Sequence, residues 1–148
     1  MIGELLEVAL LAFAPVSEIR GALPYGVLFR GLPYPLVLAV SFFCNLLPYF
    51  LVMFLLSWLL EYFSRFAWFR SFWDNFIQRT QKRFEPYKKW GKWGILAFVG
   101  IPLPFTGIWT GSVVCFLLGL SFQESFPYIL GGLVSASLIM SLVVFIGS

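Results

Sequence analysis

The stretch "GIPLPFTGIWTG", residues 100–111, decides the fold of this 148-residue chain. Pro102 and Pro104 remove two backbone donors and disfavour helix at the residue before each. Nine residues, Trp93 to Ile101, lead into the break, and about a dozen follow Gly107 before Gly119-Leu120. At 1.5 Å per residue a dozen helical residues reach about 18 Å, short of the ~30 Å hydrocarbon core of a bilayer. Two half-helices meeting at a broken tip, a re-entrant hairpin, fit these lengths better than a straight span. A single kinked crossing over 93–120 is the alternative.

Bilayer dimensions are the right yardstick because of the composition. Hydrophobic residues make up 60% of the chain, aromatic ones 20% and charged ones only 11%, against about 25% charged in a soluble domain. Uncharged stretches run from Tyr34 to Leu60, from Trp93 to Gln123 and from Ser125 to Ser148. Each exceeds the 18 or so apolar residues that mark a candidate span. The chain reads as an all-α integral membrane protein. Its acidic start, Glu4 and Glu7, is unlike a cleavable signal peptide, which opens basic.

Outward from the second break, the first segment has the same shape. "PVSEIRGALPYG", residues 15–26, interrupts an apolar run that ends in Gly31-Leu32-Pro33. The expected organisation of the single membrane domain, 1–148, is a first re-entrant hairpin (1–33), a transmembrane helix (34–60), a connector (61–92), a second re-entrant hairpin (93–120) and a final transmembrane helix (121–148). A hairpin returns to the side it entered from and a span crosses once. The second copy of "hairpin plus helix" is therefore inverted relative to the first, a pattern that places a substrate site near the midplane of transporters.

The connector holds eight of the ten Lys/Arg residues, which the positive-inside rule places in the cytoplasm, with the protein multi-pass in the inner (plasma) membrane. Tyr62, Phe66, Phe69, Trp73 and Phe76 recur every three or four residues, with Arg65, Arg79 and Arg83 between or beyond them. That spacing predicts a basic amphipathic helix in the interface, facing anionic lipid headgroups. A nucleic-acid partner is not expected beside such spans.

Chemistry-bearing residues are few. The chain has no histidine, and its carboxylates are scattered, so no metal-ligand cluster, cofactor motif or catalytic triad is expected, and no enzyme. Cys44 and Cys115 sit in apolar stretches without CxxC spacing and read as packing residues. Glu18 and Arg20 stand out, because an ionisable residue at membrane depth costs about 2.5–3.5 kcal/mol on insertion scales. A buried Glu can exchange protons and an Arg can grip a phosphate or carboxylate. A static, self-neutralising pair is the alternative. On a continuous helix positions i and i+2 face apart; an unwound tip would let the two meet or turn toward a common cavity.

The second tip is uncharged. Thr106 and Thr110 offer hydroxyls, Trp109 a large face, and a half-helix starting near Thr106 would present free N–H groups to an anion; capping of that helix by the threonines is the alternative. Asn45, at mid-span, either lines the site or cross-links helices. Small residues Gly131, Gly132, Ser135 and Ala136 in the last span point to close helix packing.

Both tips, "P-V-S-E-I-R-G-A-L-P-Y-G" and "I-P-L-P-F-T-G-I-W-T-G", resemble the small multidrug export protein family of bacteria and archaea, over essentially the whole chain. That family is in turn similar to the larger DedA (VTT-domain) membrane proteins, implicated in proton-coupled movement of polyprenyl-phosphate or phospholipid. On that resemblance Glu18 corresponds to an acidic residue of the first hairpin. DedA proteins carry arginines around the second-hairpin proline, in a pattern like R-F-I-P-x-x-R-T; here Val99 and Phe105 stand in those places, leaving Arg20, from one subunit or two.

The sequence expectation is a small secondary transporter of an anionic, lipid-like amphiphile, built as a homodimer or higher homo-oligomer. Its substrate or proton site would comprise Glu18, Arg20, Asn45, Pro102, Pro104, Thr106, Trp109 and Thr110. An exporter of cationic hydrophobic drugs and a non-transporting scaffold or channel subunit are the alternatives.

Overall fold

A computed structural model describes residues 1–84, 88–102 and 106–148, with side chains for all of these but 81, 83, 84 and 88–90. Seven α-helices and one π-turn make up the described chain. They are α1 (Ile2–Phe13), α2 (Glu18–Pro24) continuing into a π-turn (Tyr25–Phe29), α3 (Tyr34–Phe63), α4 (Ala67–Phe84), α5 (Lys88–Gly100), α6 (Ile108–Leu117) and α7 (Phe122–Gly147).

Two of these are far longer than the rest. At 1.5 Å per residue, the 30 residues of α3 and the 26 of α7 extend about 45 and 39 Å, enough to cross a ~30 Å core. Only 39% and 44% of their apolar windows are buried inside the protein. A soluble core helix would bury more; here Phe43, Phe54, Leu138, Leu142, Phe145 and Ile146 face outward. Such an expanse of exposed apolar surface requires an apolar medium. Local signals fix the ends of α7. Ser121 Oγ accepts from Glu124 N at 3.2 Å while Ser121 N donates to Glu124 Oε2 at 3.2 Å, a reciprocal cap. Gly119, at φ 73°, ends α6 in the left-handed conformation that glycine adopts without strain.

The other helices are short and arranged around the long pair. Helix α1 packs on α2 and α3, and α5 packs on α6 and α7. Across the middle, α2 touches α7 and α6 touches α3. Small residues set the α5–α7 spacing: a Cβ on Gly132 would fall 2.7 Å from Val99 Cβ and 3.0 Å from the Leu96 carbonyl oxygen. The close packing expected around Gly131 and Gly132 is therefore against α5.

The connector differs in detail from its sequence reading. Tyr62 belongs to the end of α3 and Phe66 to the turn after it, so the helix begins only at Ala67. Phe69 stacks on Trp73 (6.1 Å between centroids), which meets Phe116 at 6.0 Å, so one stripe of α4 faces the bundle. Phe66, Trp68, Phe72 and Phe76 remain exposed. Helix α5 already starts at Lys88, inside the stretch read as connector.

Candidate functional site

Helix α1 stops at Phe13 and α2 starts at Glu18, so the first break spans only residues 14–17. The expected interruption across 15–26 is thus confined to its start. Gly21, Pro24 and Gly26 lie within helical turns. Pro24 lacks the N–H for a regular turn, and the backbone widens directly after it, with Arg30 N donating to Tyr25 O five residues back at 3.1 Å. Gly26 is there for packing: a Cβ would meet Val37 Cγ1 at 2.6 Å and Val8 Cγ2 at 3.0 Å.

Glu18 is the centre of the site. Its backbone has φ 50°, a left-handed conformation costing about 1–2 kcal/mol for a residue with a Cβ. Being outside the right-handed helix at that point, Glu18 can meet Arg20 two positions on. Arg20 Nη2 lies 3.4 Å from Glu18 Oε2. The carboxylate itself is buried, with the residue only 3% exposed. It accepts the backbone N–H groups of Ile108 and Trp109, the first two residues of α6. A helix leaves its first N–H groups unpaired and its N-terminus partly positive, so a carboxylate there is doubly favoured.

Gly107 makes this approach feasible. It sits at φ 144°, ψ −165°, a region essentially restricted to glycine. A Cβ on it would fall 2.6 Å from both Glu18 Cδ and Oε1, and closer still to Oε2.

The closure runs in both directions. Trp109 Nε1–H donates to the Phe13 carbonyl oxygen at 2.7 Å, and its ring meets Phe13 edge-on at 5.4 Å. Phe13 ends α1, so its carbonyl is one that the helix leaves open. Each break is therefore capped by a side chain from the other half of the chain.

The remaining candidates divide. Thr106 Oγ1 donates to the Ile101 carbonyl at 2.9 Å, closing the end of α5 rather than the start of α6. The α6 end expected to be free for an anion is occupied by Glu18. Pro102 stands just after α5, where that helix must stop, whereas Pro104 lies outside the described residues. Thr110 is exposed. Asn45 is 1% exposed, and its Oδ1, like the Oγ of Ser41 one turn earlier, has no hydrogen-bond partner among the described residues.

Two groups escaped the sequence reading. Glu7 Oε2 receives Arg30 Nη2 at 2.6 Å and the Tyr25 hydroxyl at 2.7 Å, while Arg30 Nε donates to the same hydroxyl at 2.8 Å. Glu7 and Arg30 were visible as charges in a short apolar segment, the signal that marked Glu18 and Arg20. Tyr49, by contrast, had no signal: its hydroxyl bonds Ser125 Oγ (2.6 Å) and the Phe122 carbonyl (3.0 Å), joining α3 to α7.

Two apolar grooves flank the α3–α7 pair. One, of about 990 Å³, is bounded by Phe50, Phe54, Trp73, Phe116 and Phe122 among others. The other, about 850 Å³, lies between Tyr34, Phe42 and Phe145. Neither is lined by Glu18, Arg20 or Asn45.

Long apolar helices flanked by broken ones, with a buried carboxylate where the breaks meet, are consistent with a helical membrane protein. The chain belongs to the family described as "Putative small multi-drug export protein", which matches residues 18–139, from Glu18 itself to within α7. No curated protein and no solved structure matches it.

Proposed function

We propose that the chain is a small secondary transporter of amphiphilic compounds in which Glu18 exchanges a proton and Arg20 binds the substrate's charged group. The burial of the Glu18 carboxylate at the junction of the two breaks carries this reading. Protonation of Glu18 would weaken its hold on the α6 N-terminus and release Arg20 from its ion pair. Arg20, no longer held by that charge, would bind a phosphate or carboxylate headgroup, with the apolar body of the substrate reaching a flanking groove.

The architecture behind this reading is an inverted repeat of re-entrant hairpin and transmembrane helix. It is supported by the pairing of elements, since exchanging α1, α2 and α3 for α5, α6 and α7 reproduces the same set of neighbours. The inner membrane, a cytoplasmic α4 and a homo-oligomer belong to the same proposal, because one short chain has little protein to enclose a path.

A second reading, export of hydrophobic cations, is favoured by the aromatic walls of the larger groove, which suit cation–π contact. Reconstituted vesicles separate the two. With labelled polyprenyl-phosphate, Glu18→Gln and Arg20→Ala should each reduce movement to background; unchanged movement in both refutes the anion reading. Loss of cationic-dye efflux in Glu18→Gln with efflux preserved in Arg20→Ala establishes the second. No flux of either probe, with a stable partner in pull-downs, points to a scaffold.

A further inference from the structure

Ser41 and Asn45 lie one turn apart on α3 and are 0% and 1% exposed, with Ser41 Oγ and Asn45 Oδ1 both unpartnered among the described residues. An unsatisfied buried polar atom costs about 1–3 kcal/mol, so two neighbours in this state call for an occupant. Other buried serines avoid that cost locally. Ser112, Ser137 and Ser141 each donate to the carbonyl four residues back. Ser41 makes no such bond, although α3 offers it the Val37 carbonyl.

The position of the pair says what the occupant serves. Gly26 backs onto Val37, and α2 with its π-turn runs antiparallel to α3 through the short link at residues 30–33. Glu18 lies eight residues before Gly26 and Asn45 eight after Val37. At 1.5 Å per residue both stand about 12 Å along from that shared contact, at the same level. From the other side, Cys115 of α6 bonds Ser125, which bonds Tyr49; one turn back along α6 and α3 brings Ser112 and Asn45 to this level.

Among the described residues, the charged group paired with Glu18 is Arg20, from its own element. The acids of α1, α3 and α7 (Glu4, Glu7, Glu61 and Glu124) sit elsewhere along their helices, and α6 has no charged residue. Tyr49 and Cys115, the titratable groups one turn away, are engaged with Ser125. An uncharged hydrogen-bonding pair at the level of a buried carboxylate suits a neutral, proton-conducting ligand.

We propose that Ser41 and Asn45 hold a water molecule that delivers protons to Glu18. A buried water typically makes about three hydrogen bonds. Asn45 Oδ1 accepts one O–H of the water, the Ser41 hydroxyl donates to one of its lone pairs, and its second O–H is donated to Glu18. An incoming proton binds a lone pair of this water as another of its O–H bonds breaks and passes its proton to a Glu18 oxygen. The water is regenerated and the carboxylate becomes a carboxylic acid. Asn45 serves where an aspartate would not, since a second carboxylate would compete for the proton and for Arg20.

This inference rests on Glu18 as the proton-exchanging group, and its test does not require transport. The full chain in lipid vesicles is given a rapid pH drop while the carboxylic-acid carbonyl absorption is followed by infrared spectroscopy, with Glu18 assigned by the band lost in Glu18→Gln. The double variant Ser41→Ala/Asn45→Leu should slow protonation of Glu18 at least about tenfold, equivalent to about 1.4 kcal/mol on the barrier. Ser41→Thr, which keeps a hydroxyl, should retain most of the rate, and circular dichroism checks that each variant is folded. An unchanged rate in the folded double variant overturns the proposal, as does a wild-type protein with no band assignable to Glu18. A wild type that protonates Glu18 through this pair yet moves no substrate upholds it while refuting the transport reading.

Discussion

Gly107→Ala isolates the contact on which the candidate site depends. Two costs follow from the geometry. A Cβ at φ 144° occupies a conformation that costs about 1–3 kcal/mol outside glycine. It also falls 2.6 Å from Glu18 Cδ and Oε1, so the carboxylate must leave the α6 N-terminus. Losing hydrogen bonds to a charged group costs about 1.5–3 kcal/mol. The total, about 2.5–6 kcal/mol, is large against the roughly 5–15 kcal/mol that typically holds a domain together. Denaturant unfolding in mild detergent, followed by circular dichroism, measures it. The decisive step is a double-mutant cycle with Glu18→Ala. Without the carboxylate only the backbone strain remains, so Gly107→Ala should then cost about 1–3 kcal/mol, a coupling of at least about 1.5 kcal/mol. Additivity within about 0.5 kcal/mol would mean the two residues do not meet, and the site as described would be wrong.

Other substitutions probe the same framework. Trp109→Phe keeps the ring against Phe13 but deletes the 2.7 Å bond to its carbonyl, and should cost about 1 kcal/mol in the same unfolding assay. Gly132→Ala drives a Cβ against Val99 and the Leu96 carbonyl; overpacking of this kind should cost about 1–3 kcal/mol and lower the melting temperature. Ser121→Ala removes the cap of α7 and should cost about 0.5–2 kcal/mol, read as earlier thermal unfolding. The proposed inverted repeat would place residue 148 on the side opposite α4. Cysteine labelling in intact cells should modify a C-terminal Cys and a Cys in α4 from opposite sides, and labelling from one side rejects the second re-entrant hairpin.

The long helices were legible because their signal is local and additive. The uncharged runs starting at Tyr34 and Ser125 predicted α3 and α7 to within a few residues. The second break was signalled by Pro102, which stands two residues past the end of α5, while Pro104 lies outside the described residues. The first break was read too broadly. Gly21, Pro24 and Gly26 look like interruptions in one dimension, but Gly26 answers to side chains on two other helices and a π-turn absorbs Pro24. The pairing of Glu18 with Arg20 was anticipated as something only an unwound backbone allows, and the left-handed Glu18 supplies that backbone. Which groups the carboxylate would meet was not legible. The free N–H groups at the start of α6 were expected to face an external anion, and nothing in the sequence joined them to Glu18, some ninety residues away.

The reciprocal capping of the two breaks has a consequence for how the chain is made. Until residues 107–109 leave the ribosome, α1 and α2 lack the backbone donors that meet Glu18 and the Trp109 donor that meets the Phe13 carbonyl. The half emerging first is therefore unfinished, and synthesis of the second half completes both at once. Severed fragments expressed together should assemble, whereas the leading fragment alone should be degraded by membrane quality control.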